Sequence, residues 1–169
     1  MTTSPPSPTQ PMESRNAVLA AYLDYFRATV LAKAAQLPPD ELRRSRLASG
    51  WTPLELLKHL RWVELRWIEW GFEGRTFEDP WGDWRDERWH VDPDESVAEV
   101  VAALRAQGEH TREVILAADL AQVGPPGPRW ENAEPPTLER VLLHLLQEYA
   151  RHAGHLDIVA ELAAADRPA

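Results

Sequence analysis

Residues 137–164 read TLERVLLHLLQEYARHAGHLDIVAELAA. Leu138, Leu142, Leu145, Tyr149, Ala153, Leu156 and Val159 recur there at spacings of three and four, which predicts one long helix with a continuous apolar stripe. A helix of this kind must bury its stripe against other elements, and three further segments carry the same period. Residues 13–36 repeat Val18, Tyr22, Tyr25, Phe26, Thr29 and Val30, and Leu37-Pro38-Pro39 stops them, because proline disfavours helix in the residue before it. A short helical segment over 40–46 is expected to follow. A second helix starts at Thr52, a good N-cap, with Pro53 at the first helical position and Glu55 placed for a capping box. It runs to about Trp70, with Gly71 or Gly74 to end it. A third is predicted to start at Asp92-Pro93-Asp94-Glu95, to carry Val97, Val100, Val101, Leu104, Val114, Ile115 and Leu116, and to end near Asp119.

The connections are unlike one another. Residues 71–91 hold Trp81, Trp84 and Trp89 among charged residues with no clear period, and read as a long, partly ordered loop that covers the bundle or part of a pocket. Residues 121–136 hold two glycines and five prolines and read as a loop. No segment reads as a strand. The expectation is an all-α chain, a four-helix bundle over residues 13–169, preceded by a disordered tail at 1–12 that is rich in proline, serine and threonine.

Composition bounds the function. The chain has 169 residues, enough for one domain with a real core. It has no cysteine, which removes disulfides, thiolate metal sites and a cysteine nucleophile together. The start of the chain has neither a basic region nor an apolar run, so no signal peptide is predicted. Nor does any stretch have the length and apolarity of a membrane span. A cytoplasmic location follows as the default expectation. Net charge is −9, and the densest basic cluster is only Arg43, Arg44 and Arg46, which argues against a nucleic-acid partner. That cluster reads as a solvated face.

Chemistry concentrates on the fourth helix. His144, Glu148, His152 and His155 fall at i, i+4, i+8 and i+11, within an arc of roughly 80° at 100° per residue. His152 lies closest to the apolar stripe, with Glu148 beside it. On helix two, His59 shares the buried-facing side with Leu56, Leu60, Val63 and Trp67. A bundle then brings one histidine from helix two against a Glu/His pair from helix four. Imidazole and carboxylate suit Zn, Fe, Ni or Mn, and two histidines with one carboxylate leave coordination positions open, as a catalytic ion needs. The same residues admit a plainer account: Glu148 paired with Arg151 or Arg140 on the surface, and His59 and His152 as hydrogen-bonded core histidines. Trp62, Trp67 and Trp70 read as packing. Nucleotide-binding glycine motifs, a Gly-x-Ser-x-Gly elbow, His-Glu-x-x-His and the paired Glu-x-x-His of di-iron bundles are all absent.

Residues 51–60, WTPLELLKHL, resemble the second-helix motif of the DinB-like four-helix metalloprotein superfamily, and residues 148–155, EYARHAGH, are similar to its fourth-helix motif. The resemblance covers nearly the whole chain after the tail. It implies an up-down-down-up bundle, and a single divalent ion held by His59, Glu148 and His152. Glu148, where many relatives have His, is similar to the branch containing mycothiol-dependent maleylpyruvate isomerase. His155 stands where relatives often have Gln. His155 reads first as a solvent-facing or helix-pairing residue, with a supporting group or a proton carrier as the alternative; His144 is a candidate for the supporting shell, and Trp81, Trp84 and Trp89 for lining a substrate mouth. The resemblance further implies a small-molecule substrate and a low-molecular-weight thiol such as mycothiol as cosubstrate, activated by the ion for transfer or isomerisation. A metal-dependent hydrolase, a binding module with a degenerate site and a stress-response homodimer are the rival expectations.

Overall fold

The structure is a computed structural model that describes residues 4–165. Four long helices dominate it: α1 (Arg15–Gln36), α2 (Pro53–Leu65), α3 (Val97–Ala117) and α4 (Leu138–Ala165). α1 packs on α4 and α3, and α2 packs on α3 and α4. This mostly helical arrangement is consistent with a helical bundle. Leu54, Leu56, Leu57, Leu60, Leu104, Leu142, Leu145, Tyr149 and Leu156 are fully buried at its centre. Of the tail expected at 1–12 and the domain at 13–169, residues 1–3 and 166–169 lie outside the described residues. Residues 4–12 touch α1 where the Tyr22 hydroxyl donates to the Pro6 carbonyl at 3.3 Å. Among the described residues no helix is long and apolar enough to cross a membrane.

The helix starts show which local signals decide. At α2 the expected capping box forms in both directions: Glu55 N–H donates to Thr52 Oγ1 at 3.2 Å, and Thr52 N–H donates to the Glu55 carboxylate at 2.7 Å. α3 departs from expectation. Its cap is Ser96, boxed with Glu99, four residues beyond Asp92. The Asp92 carboxylate is already engaged, 2.9 Å from His90 Nε2 and 3.1 Å from Arg85 Nη1, and its carbonyl closes a turn by accepting from Glu95 N–H. The segment expected over 40–46 is a single 3-10 turn, Glu41–Arg43.

The buried face of α1 is also not the one that apolarity suggests. Ala20, Leu23, Arg27, Val30 and Ala34 are buried, whereas Val18 is exposed and Tyr22, Tyr25, Phe26 and Thr29 are half-buried. An arginine sits in the middle of the core stripe because Glu64 of α2 meets it: Arg27 Nε and Nη2 donate to the two Glu64 oxygens at 3.0 and 3.2 Å. The Tyr149 hydroxyl donates to the same carboxylate. Three polar groups thus satisfy one another in the interior, as buried charge requires. Exposed apolar side chains include Val18 of α1 and Leu116 of α3, and also Leu143, Ile158 and Leu162 of α4.

After Leu65 the α2 spiral widens into a π-helical turn, Arg66–Phe72, closed by Glu73 N–H donating to the Ile68 carbonyl at 2.8 Å. Two glycines shape its end. A Cβ on Gly71 would lie 2.7 Å from the Trp130 ring, so the 121–136 loop can approach only a glycine there. Gly74, at φ +70°, takes the left-handed conformation that turns the chain away. The loop that follows is more ordered than its sequence suggests. It contains an antiparallel hairpin, β1 (Trp84–Arg85) and β2 (Arg88–Trp89), where no strand was expected. Asp86 and Glu87 join the strands at φ +52° and +62°, as a tight two-residue hairpin turn demands. The hairpin is anchored by His90 N–H donating to the Asp83 carbonyl at 2.8 Å.

Candidate metal centre

α2 and α4 bring His59, Glu148 and His152 together, with one donor atom from each lying within 4.8 Å of the others. His152 Nε2 is 3.2 Å from Glu148 Oε2, and His59 Nε2 is 3.9 Å from the same oxygen. Ligands about 2.1 Å from one ion stand roughly 3.0–3.5 Å apart, so small side-chain adjustments suffice to close this set on a cation. The residues are recessed without being sealed: side-chain exposure is 14% for His59, 17% for Glu148 and 5% for His152.

Each histidine is fixed from behind. His59 Nδ1 lies 3.0 Å from Asp83 Oδ2, so the imidazole donates there and turns the lone pair of Nε2 toward Glu148. Asp83 is itself clamped by Arg66, whose Nη1 and Nη2 donate to its two oxygens at 2.5 and 3.1 Å. Burial alone would raise the Asp83 carboxyl pKa, but hydrogen bonds from His59 and Arg66 outweigh it and hold the group below its ordinary value. His152 Nδ1 faces His155 Nδ1 at 3.2 Å, within hydrogen-bond reach. Burial lowers the His152 pKa, which keeps the ring neutral, as a metal donor must be. The hydrogen bond from His152, with His59 beside it, holds the Glu148 carboxyl well below the usual range, so this residue is an anion at neutral pH.

Indoles line the site. Trp89 stacks on His59 with centroids 4.2 Å apart and meets the His152 ring edge-on at 5.4 Å. Trp51 lies against His155 and Trp89 at 5.9 and 6.0 Å. Of the three loop tryptophans singled out from sequence, Trp89 is this inner one, and the other two sit further out. Trp84 joins Trp51 and Trp89 around an outer cleft, and Trp81 covers Arg66 at 4.4 Å. Both are about half exposed. His144 sits one turn from Glu148, its Nε2 3.8 Å from Glu148 Oε1, with Trp67 at 4.4 Å on its other side.

Asp83, Arg66 and Trp51 were missed by the sequence reading. The only sequence signal for Asp83 was an acidic residue in a loop too long to be idle. A second donor group, Glu69, Glu73 and His110, also converges within 4.8 Å. Arg75 already supplies the cation there, with Nη1 2.8 Å from Glu69 and Nε 3.1 Å from Glu73. Among the described residues the His59–Glu148–His152 group has no such internal cation.

No curated protein matches the chain. The family model described as mycothiol-S-transferase matches residues 18–165, nearly the whole of the described chain and both halves of the donor cluster. The protein therefore belongs to the mycothiol S-transferase family, within the DinB-like superfamily.

Proposed function

We propose that the protein is a metal-dependent thiol S-transferase, with His59, Glu148 and His152 holding one divalent ion and a low-molecular-weight thiol of the mycothiol kind as cosubstrate. The observation that carries the reading is the convergence of two imidazoles and one ionised carboxylate in a recess that family membership associates with thiol transfer. Bound there, an ion would lower the pKa of a coordinating thiol and so favour a thiolate at neutral pH. The chain has no cysteine, so the sulfur must come from the cosubstrate. Asp83 and Arg66 fix the orientation of His59, and His155 fixes that of His152. Trp51 and Trp89 keep bulk water from the inner face of the recess. The up-down-down-up helix order, a cytoplasmic location and a homodimer belong to the same proposal.

The test is thiol consumption with an electrophile such as monobromobimane, with mycothiol or a simpler thiol, by metal-loaded protein and by His152→Ala. The expected result is metal-stimulated conjugation in the parent chain and loss in the variant. Full activity of His152→Ala at unchanged metal content would overturn the reading. Turnover of an ester without added thiol would move the assignment to a hydrolase.

A further inference from the structure

Beside the donor cluster lies a cavity of about 400 Å³, lined by Trp67, Trp130, Glu134, Pro136, Arg140 and His144. Arg140, His144 and Glu148 occupy successive turns of α4 at i, i+4 and i+8, so cavity and cluster are neighbours along one helix face. His144 is their shared wall: its ring meets Trp67 on the cavity side, and its Nε2 approaches Glu148 on the other. The rise of a helix puts Arg140 about 12 Å along the axis from Glu148, within reach of one small molecule.

Net charge is −9, yet two guanidinium groups here have no carboxylate partner among the described residues. Arg140 stands exposed on the cavity rim. Arg129 lies behind the wall, over Trp67 at 4.4 Å and near Trp130 at 5.2 Å, with its Nε donating to the Arg66 carbonyl at 3.3 Å. Burial lowers its pKa, the mark of a cation with no counter-charge. Trp130 Nε1 is buried with no hydrogen-bond partner. Glu134, exposed on the same rim, sets a limit by disfavouring a ligand with more than one negative charge. Indole walls favour a flat apolar body, and the unpaired guanidinium favours one carboxylate.

We propose that this cavity binds a small aromatic monocarboxylate, its carboxylate directed to Arg140 and its ring against Trp67 and Trp130, and that it is the electrophile subsite of the transferase. The inference deepens the reading above and rests on it for the word electrophile; the binding itself does not depend on catalysis.

Benzoate, which cannot react, is the probe. Its binding to the full chain is measured by calorimetry, both metal-free and zinc-loaded, against benzyl alcohol and acetate. Arg140→Gln is compared with Arg88→Gln, which alters the outer Trp51–Trp84–Trp89 cleft instead. Circular dichroism confirms that each variant is folded. The expected result is saturable benzoate binding, weakened at least about fivefold by Arg140→Gln, unchanged by Arg88→Gln, and at least about fivefold tighter than binding of either control compound. The indole N–H resonances of Trp67 and Trp130 should shift with benzoate, and that of Trp84 should not. No saturable binding, equal binding to Arg140→Gln, or an effect confined to Arg88→Gln would overturn the proposal. Benzoate binding in a chain that transfers no thiol would leave the cavity assigned and sink only the transferase reading. Benzoate binding that leaves thiol transfer uninhibited would overturn the electrophile assignment and leave the transferase reading standing.

Discussion

Asp83 is the residue whose removal separates a built metal centre from two core histidines. Its side chain and that of Arg66 are nearly fully buried, at 2% and 6% exposure, and they pair through two hydrogen bonds. Asp83→Ala leaves the guanidinium buried with no counter-charge, a defect that costs about 3–5 kcal/mol. In a chain of this size each kcal/mol lowers Tm by about 2–4 °C, so a fall of about 6–20 °C is expected. Asp83→Asn is the more informative change, since the amide keeps the shape and can still accept from His59 Nδ1. It removes the charge that makes His59 a stronger donor, and loss of such a partner weakens metal affinity about 10–100-fold. That is about 1.4–2.7 kcal/mol of binding free energy. The assay is zinc titration of metal-free protein against a chelating dye, beside urea denaturation without metal. The pH dependence has a definite sign. The folded-state pKa of Asp83 lies below its unfolded value of 3.8, so its stabilising contribution is complete above that value and is lost as pH falls toward the folded-state pKa. The stability gap between parent and Asp83→Asn should narrow along that acid limb. Unchanged zinc affinity in Asp83→Asn, with Asp83→Ala within about 0.5 kcal/mol of the parent, would refute the reasoning.

Two further outcomes test the fold around the site. A Cβ on Gly108 would stand 2.3 Å from Arg27 Cδ, so Gly108→Ala must displace the guanidinium that satisfies Glu64. It should cost at least about 2 kcal/mol by urea denaturation, although alanine is the better helix former. Replacing Asp86 and Glu87 by Asn and Gly relieves two left-handed non-glycine residues and should stabilise the hairpin by about 1 kcal/mol, raising Tm by about 2–4 °C. A fall in Tm would mean that those side chains do more than turn the chain.

The parts that were legible in the sequence are those whose causes are local. The Thr52–Glu55 box involves neighbours three residues apart, and the α4 stripe repeats every turn, so each carries its own evidence. The meeting of His59 with Glu148 and His152 was legible for the same reason, since the last two share one helix face and His59 lies on a buried one. What was not legible depends on partners far along the chain. Arg27 reads as a surface residue until Glu64, 37 residues on, is found opposite it. Asp83 reads as loop acidity until His59, 24 residues back, is found at 3.0 Å. Asp92 looked like a helix cap, and only its contacts with His90 and Arg85 show why Ser96 takes that place. The π-helical turn has no period of its own, and the close approach of the Trp130 loop at Gly71 joins residues far apart in the chain.

Metal content decides the central claim most directly. The full chain, purified without a metal-binding tag, is analysed for transition metals by mass spectrometry beside His59→Ala and His152→Ala, after reconstitution with zinc, nickel, manganese or ferrous iron. The account predicts about one ion per chain in the parent, as one three-residue donor set implies, and its loss in both variants. No ion in the parent under any of these conditions, or equal content in all three chains, would contradict it.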